Sequence, residues 1–272
     1  MSVIFKAQNH KYESLDPNER IDWLSVTKFV SQFKPAFDPV AQSIKSSKNK
    51  KSKWYGLPPE EIQGYWAKEA DRAIGTGTVY HDERESDLLE LDTLNRGGRN
   101  IPIIKPLWDG DTKHAPAQRL TEGIYPEHFI FLKSAGLCGQ SDRVEVVKDT
   151  IDIVDFKTNK EIKKESFVSW DVRRETMLGP CAHLDNCNFN HYALQLSTYM
   201  YMMIKHNPTY KPGSMMLHHI IFEKEGEDKF GYPILKLQDG KPIVKTVIPY
   251  EVPYLKSEVI NMINWIKDNG KK

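Results

Sequence analysis

Two neighbouring strand patterns joined by a very short turn constrain this chain more than any other feature. Residues 139–147 and 151–157 have the composition of strands, and the three residues between them are typical of a turn. The two strands are therefore expected to pair as a hairpin. Side chains alternate across a strand, so Asp155 and Lys157 project from one face, and pairing brings Asp142 beside them. The sequence thus predicts that two carboxylates and one ammonium group converge on a sheet.

Such a group suits a hard divalent cation, held by carboxylate oxygens while a water attacks a phosphodiester. Strand 151–157 is otherwise apolar apart from Asp152, and charges on a strand that can be buried are expected to be paired or to hold a metal. The alternative is a solvated ion pair of Asp155 and Lys157 on an edge strand, because Asp-x-Lys alone is a weak pattern.

Composition limits the classes of protein that fit. The 272 residues are 39% hydrophobic and 28% charged, as in an ordinary soluble protein with a sizeable core. The net charge of +1 means that any polyanion site depends on local charges. There is no apolar run long enough for a membrane span and no signal-peptide pattern, and three cysteines form no disulfide framework. We expect a reduced, cytoplasmic setting and no membrane partner.

The remaining patterns predict a mixed α/β chain. Without repeats or a clear linker, residues 1–272 are expected to form a single domain. Its expected parts are a helical region at about 20–95, a sheet and core at about 120–250, and a closing helix at about 251–267. In the first part of the chain, the patterns predict a strand pair within 3–14, a helix capped by Ser25, a helix opened by Pro58 and Pro59, a break at Gly75–Thr78 and a further helix through Leu94. In the middle, they predict a loop over 95–121, a strand over 124–132 and a connection over 165–188. Towards the C-terminus, they predict a helix over 190–206, a strand over 215–222 and a hairpin of 231–238 with 241–248.

Residues 45–53 contain five lysines and no apolar face. We expect a solvated flexible loop, or a loop that touches a phosphate backbone. Either role would leave this segment without regular structure.

Four short motifs occur in a characteristic order. They are G-T-x-x-H at Gly77 to His81, G-x-x-D at Gly139 to Asp142, D-F-K at Asp155 to Lys157 and Q-L-S-T-Y at Gln195 to Tyr199. Together they resemble the PD-(D/E)xK nuclease superfamily, in its RecB-like and lambda-exonuclease-like branch. Ser25-Val-Thr27 is similar to the corresponding start in mitochondrial genome-maintenance exonucleases and phage-encoded relatives. No proline precedes Asp142, and members of this branch often lack that proline.

The resemblance implies a restriction-endonuclease-like core, a central mixed β-sheet flanked by α-helices. It also implies a DNA exonuclease or single-strand-specific DNase that depends on Mg²⁺ or Mn²⁺ and serves recombination, repair or phage DNA processing. The partners would be DNA and a recombination or replication protein. The alternatives are a structure-specific endonuclease and a non-catalytic protein of the same fold that binds DNA ends or a partner.

The resemblance also implies roles for individual residues. Asp142, Asp155, the carbonyl of Phe156 and His81 would bind the ion, with the imidazole favouring Mn²⁺. Lys157 would orient or deprotonate the attacking water or stabilise charge at phosphorus. Gln195 would position the water, the lysine or a phosphate oxygen, and Tyr199 would contact the DNA. Glu85 and Glu127 would support the ion or its ligands.

Each of these residues has a plainer interpretation. Tyr199 fits helix packing as well as it fits DNA contact, and His81 fits a helix surface. Basic side chains near the predicted site would contact backbone phosphates or serve as ordinary surface charge; they are Arg143, Lys160, Lys163, Lys164, Arg173 and Arg174.

A second metal pattern lies before the predicted helix at 190–206. Cys181, His183, Cys187 and His191 are all types of zinc ligand. Their spacing is not that of a well-attested zinc finger, so the alternative is a structured loop that leads into the helix.

Overall fold

A computed structural model describes residues 3–166 and 174–270. In these ranges the α-helices are α1 (Val26–Ser31), α2 (Pro39–Lys48), α3 (Pro59–Leu89), α4 (Asn188–His206) and α5 (Lys256–Asn269). The strands in the same ranges are β1 (Val3–Lys6), β2 (Lys11–Ser14), β3 (Leu24–Ser25), β4 (Thr93–Arg96), β5 (Arg99–Pro102), β6 (Leu107–Asp109), β7 (Thr112–His114), β8 (Gly123–Leu132), β9 (Leu137–Val147), β10 (Thr150–Lys157), β11 (Lys211–Phe222), β12 (Lys224–Glu227), β13 (Pro233–Leu235), β14 (Leu237–Gln238), β15 (Lys241–Pro242) and β16 (Val244–Glu251).

The central sheet is mixed and has the strand order β16-β11-β10-β9-β3, with β8 also paired to β9. β9 and β10 form the predicted antiparallel hairpin, in which Ile151 lies opposite Val146. β10 pairs in parallel with β11, and the chain between them contains α4. A parallel neighbour requires such a crossover, whereas the hairpin needs only its short turn.

Helices cover both faces of this sheet. The main core joins α1, α4 and α5 to one face, through residues such as Phe29, Leu194 and Met262. On the other face, Tyr80 of α3 packs with Phe156 and Phe222. The architecture is therefore α/β with a mixed central sheet flanked by helices, as predicted.

A small sheet of order β2-β1-β7-β6 packs against the end of the β8–β9 pair where the two strands are connected. Phe5 of β1 and Phe129 of β8 belong to the shared cluster of buried side chains. The strand pair predicted within residues 3–14 is confirmed by the antiparallel register of Phe5 with Tyr12.

The predicted break at Gly75–Thr78 is wrong, because α3 is continuous from Pro59 to Leu89. It also ends before Leu94, which lies in β4. Ile62, Tyr80 and Leu88 are buried along the length of α3, and this packing outweighs the weak helix propensity of its glycines.

Two predicted loops also contain regular structure. Lys45 and Lys48 belong to α2, which Asp38 caps by accepting a hydrogen bond from the Ala41 N–H at 3.0 Å. Residues 95–121 contain most of two hairpins, β4 with β5 and β6 with β7. The glycines that suggested loops supply the turns of these hairpins, since Gly97, Gly98 and Gly110 all have positive φ.

The predictions for the second half of the chain are confirmed in outline. Strand β8 and helix α4 lie where they were expected, and the strand predicted over 215–222 is the second part of β11. Helix α5 is present but begins at Lys256, because Glu251 is the last residue of β16. The hairpin around Asp239 is much shorter than predicted, because only β14 and β15 pair there while most of β16 joins the central sheet. In the described ranges no helix is both long and apolar enough to cross a lipid bilayer.

Candidate metal centre

The candidate centre lies where β9 and β10 stop pairing. Their ladder extends to Val154 opposite Arg143, and Asp142 and Asp155 follow. The Phe156 N–H, which no longer faces a strand carbonyl, donates to Asp142 Oδ2 at 2.7 Å. A buried N–H needs such a partner, so the carboxylate of Asp142 takes the place of a ladder hydrogen bond.

His81 of α3 and Glu127 of β8 complete a cluster with Asp142. The His81 Nδ1 atom lies 3.4 Å from Asp142 Oδ2 and 3.9 Å from Glu127 Oε1. One ligand atom from each residue falls within 4.8 Å of the other two. No other group of three histidine, cysteine, aspartate or glutamate side chains converges like this within residues 3–166 and 174–270.

The electrostatics of this cluster suit a cation. Burial acts against a charge on His81, but the nearby carboxylates of Asp142 and Glu127 outweigh it and raise the pKa of the imidazole to about 10. Burial would raise the pKa of Asp142, yet the hydrogen bond and charge of His81 lower it below its usual range. At neutral pH a protonated His81 therefore lies between two carboxylates, and a metal ion would have to displace that proton.

Two carboxylates and one imidazole are a donor set that fits a divalent cation. Oxygen donors suit Mg²⁺ and Mn²⁺, and the nitrogen of His81 shifts the preference toward Mn²⁺. The predicted ligands His81 and Asp142 thus lie together. Glu127 is the third residue of the cluster, which agrees with its implied role in support of the ion or its ligands.

Asp155 is not one of the three residues of this cluster, and its predicted role as a ligand stays a prediction. It is 2% exposed, and its Oδ2 atom lies 2.6 Å from Lys157 Nζ. Burial raises the pKa of Asp155 to about 6, against the lowering effect of Lys157. Burial opposes the charge of Lys157, but Asp155 and Asp142 outweigh it and raise the pKa of the ammonium group. The two side chains form an ion pair beside the cluster, in which Asp155 is buried and Lys157 is partly buried.

Tyr192 of α4 contacts this ion pair. Lys157 Nζ lies 4.7 Å from the centre of the Tyr192 ring, a cation–π contact that the sequence did not indicate. Gln195 is half-buried and is hydrogen-bonded to the Tyr199 hydroxyl. The predicted role of Gln195 toward water or phosphate stays a prediction, as does that of the Phe156 carbonyl.

Tyr199 does not fit its predicted contact with DNA. It is 3% exposed and belongs to the main core. A Cβ atom at Gly139 would lie 2.9 Å from the Tyr199 ring, so only glycine allows β9 to approach this closely. The plainer interpretation, helix packing, describes this residue.

Glu85 lies one turn after His81 and faces the same region. Burial raises the pKa of Glu85, while Lys113 lowers it and Glu127 raises it further. Its Oε1 atom is buried and has no hydrogen-bond partner among the described residues. A buried carboxylate oxygen without a donor is consistent with a cation nearby.

The basic residues predicted to contact phosphates are not gathered in one place. Arg143 is on the other side of β9 from Asp142, and its Nε atom lies 2.9 Å from Glu145 Oε1. Arg174 pairs with Glu165 and Asp185. Lys160 is exposed three residues after Lys157. Arg173 lies outside the described residues.

The four residues of the cysteine and histidine pattern do not gather into a metal site in the part of the chain that the structure describes. Cys181 and Cys187 are buried, whereas His183 is 58% exposed and lies 3.2 Å from Glu258. His191 Nε2 lies 2.7 Å from Asn186 Oδ1. These contacts make the segment a structured loop, the alternative that the sequence left open.

Lys113 was missed by sequence reasoning. It lies in β7, within the stretch predicted as a loop, and is 1% exposed. Its Nζ atom donates to the Glu127 carbonyl and to Gln140 Oε1, each at 2.6 Å. An isolated lysine in a short polar segment carries no signal that would distinguish it from a surface charge.

Comparisons with known proteins add little to this geometry. No protein-family model matches the chain, and no curated protein matches it. Among solved structures, the crystal structure of SSO0001 aligns over 98% of this chain and 85% of that chain, with 12% sequence identity and a TM-score of 0.34. Similarity this low has no bearing on fold or activity, so the function has to be inferred from the site.

Proposed function

We propose that this chain is a divalent-metal-dependent DNA nuclease built on a restriction-endonuclease-like core. The preferred activity is that of an exonuclease or a single-strand-specific DNase. The observation that supports it most is the convergence of His81, Glu127 and Asp142 within 4.8 Å. This cluster lies beside the Asp155–Lys157 pair, and Asp142 joins the two parts through its hydrogen bond to Phe156.

The residues of the site have distinct roles in this proposal. His81, Glu127 and Asp142 hold Mg²⁺ or Mn²⁺. The bound cation would neutralise phosphate charge and lower the pKa of a water molecule. Asp155 fixes Lys157 and keeps it charged, which favours stabilisation of negative charge at the phosphate over proton abstraction by this lysine.

The test is a time course with end-labelled linear DNA, single- and double-stranded, in Mg²⁺, Mn²⁺ or a chelator. We expect metal-dependent cleavage by the wild-type protein. Asp142→Asn keeps an acceptor for the Phe156 N–H but removes a charged ligand, and it should lower turnover by about 10³ or more.

Asp149→Asn is the matched control, because Asp149 is an exposed residue in the turn of the same hairpin, where it pairs with Lys211 at 2.7 Å. It should cleave like the wild type. Normal cleavage by Asp142→Asn contradicts the proposal. A circular substrate separates the alternatives, since an endonuclease cuts it and an exonuclease does not.

A further inference from the structure

Glu127 has a backbone conformation that strand residues rarely adopt. Its φ is 43°, in the left-handed region that is unfavourable for residues other than glycine. The residues on either side pair normally with β9, Pro126 with Arg143 and His128 with Ser141. The irregularity is therefore confined to Glu127, and strain of this kind persists only where the surrounding structure holds it in place.

At Glu127, the set of side chains of strand β8 that faces the main core changes from odd-numbered to even-numbered residues. Tyr125 faces the main core before Glu127, whereas Ile130 and Leu132 face it afterwards. Regular alternation would place odd- and even-numbered residues on opposite faces throughout. Phe129 correspondingly lies in the cluster beneath the N-terminal small sheet. The position of the Glu127 carboxylate beside His81 thus depends on an irregular backbone.

Lys113 contacts the strained residue itself. Its ammonium group, reaching from β7, donates to the carbonyl oxygen of Glu127 at 2.6 Å and to Gln140 Oε1 on β9 at the same distance. The Nζ atom also lies 5.3 Å from the Trp108 ring. The Lys113 side chain therefore connects the small sheet to β8 and β9, the two strands that carry Glu127 and Asp142.

Packing alone does not account for a lysine here. A buried ammonium group is costly unless its protons are satisfied, and an apolar side chain of similar size would fill the same space without that cost. Burial lowers the pKa of Lys113, while the charges of Glu127 and Glu85 act against this effect. The hydrogen bond to Glu127 is the contact that an apolar residue cannot replace.

We propose that Lys113 is a positioning residue for the divalent cation. Its hydrogen bond holds the Glu127 backbone in the left-handed conformation, so that the Glu127 carboxylate lies beside His81 and Asp142. This inference rests on the proposed function, because it concerns the same ion. Lys113 acts through Glu127. Residues that support metal ligands in this way commonly change metal affinity about 10- to 100-fold when they are replaced.

The test measures the Kd of Mn²⁺ alone by isothermal titration calorimetry, together with the urea unfolding curve of each variant. Lys113→Met should weaken Mn²⁺ binding at least about tenfold. The matched control is Lys6→Met in the same small sheet, where Lys6 is partly exposed and pairs with Glu13 at 2.9 Å. Its Kd should equal that of the wild type.

A double-mutant cycle separates positioning from a general loss of structure. Glu127→Gln weakens the ligand itself, so adding Lys113→Met to it should change the Kd by less than about twofold. An equal tenfold loss in both backgrounds would mean that Lys113 supports the fold as a whole, and this result would overturn the proposal. So would an unchanged Kd for Lys113→Met.

If Lys113→Met does not fold, Lys113→Gln takes its place. Its shorter amide keeps one donor but cannot reach both acceptors, and the Kd should rise at least about threefold; an unchanged Kd again overturns the proposal. Failure of the proposed metal site gives a different result, because the wild-type protein itself then binds no Mn²⁺, and failure of the nuclease activity alone is seen in the cleavage assay.

Discussion

Two aspartates that face each other across a hairpin have opposite ionisation properties in this site. His81 holds the pKa of Asp142 below its usual range, whereas burial raises the pKa of Asp155 to about 6. Asp142 is therefore ionised and suited to bind a cation, whereas Asp155 forms an ion pair with Lys157. The two sequence motifs that contain Asp142 and Asp155 present them as equivalent ligands, because they contain no information about the surroundings that the fold gives each carboxylate.

His128, next to Glu127, should make the stability of the protein sensitive to acid. It is 4% exposed, and burial together with Lys113 lowers its pKa to about 3. In the unfolded chain a histidine binds a proton below about pH 6.5. Between these values the unfolded state holds the extra proton, so the contribution of His128 to stability is lost as the pH falls.

We predict that His128→Phe removes this dependence. Between pH 7.5 and pH 5 the free energy of unfolding should fall by about 2 kcal/mol less in the variant than in the wild type. Urea unfolding at the two pH values measures the difference. Parallel losses in both proteins would show that His128 becomes protonated in the folded state.

At the scale of elements, two glycines of α3 serve different purposes. A Cβ atom at Gly75 would meet nothing within 4 Å, whereas at Gly77 it would lie 3.2 Å from the Thr158 hydroxyl oxygen. Gly77 therefore allows α3 to approach the end of β10, one turn before His81. Gly75 has no such contact and simply lowers helix propensity.

The same substitution should consequently have different effects at the two positions. Gly75→Ala should raise the free energy of unfolding by about 0.5–1 kcal/mol, the usual gain in an exposed helix interior. Gly77→Ala should gain less, because Thr158 has to move. Urea unfolding of both variants provides the comparison, and equal gains would mean that the close approach has no energetic weight.

The elements that the sequence predicted correctly are those with strong local signals. Ser25 caps α1 as expected, since its hydroxyl accepts from the Lys28 N–H at 3.2 Å. The β9–β10 hairpin follows from alternation and a short turn. The continuity of α3 was not predictable in this way, because burial of Tyr80 and Leu88 against separate clusters is a tertiary effect.

The site was only partly predictable for the same reason. His81, Asp142 and Lys157 stand in recognisable motifs, and the fold brings them together. Tyr199 shares a helical face with Gln195, but only the close approach of Gly139 shows that it is buried. Lys113 meets Glu127 through a contact between two sheets, which no local pattern records.

At the scale of the whole molecule, the candidate centre joins parts of the chain that are far apart in sequence. His81 comes from α3, Glu127 and Asp142 from two strands of the central sheet, and Lys113 from the small sheet. The unfolded chain cannot hold these side chains within a few ångströms. A cation that binds here therefore binds the native state and should stabilise the fold as a whole.

We accordingly predict that Mn²⁺ at 100 times its Kd raises the free energy of unfolding by about 2.7 kcal/mol. For a chain of this size that corresponds to a rise in Tm of roughly 5 °C. Differential scanning calorimetry with Mn²⁺ and with a chelator measures it. The rise should be smaller at lower pH and a fixed Mn²⁺ concentration, because the ion competes with the proton on His81.

Two variants identify where the ion binds. Asp142→Asn should abolish the rise in Tm, because the ion loses a charged ligand. His183→Asn should retain the rise in Tm, because His183 lies beside Glu258 and is not part of the His81, Glu127 and Asp142 cluster. The reverse result, a rise that survives Asp142→Asn and disappears with His183→Asn, would place the ion in that segment and remove the physical basis of the nuclease proposal.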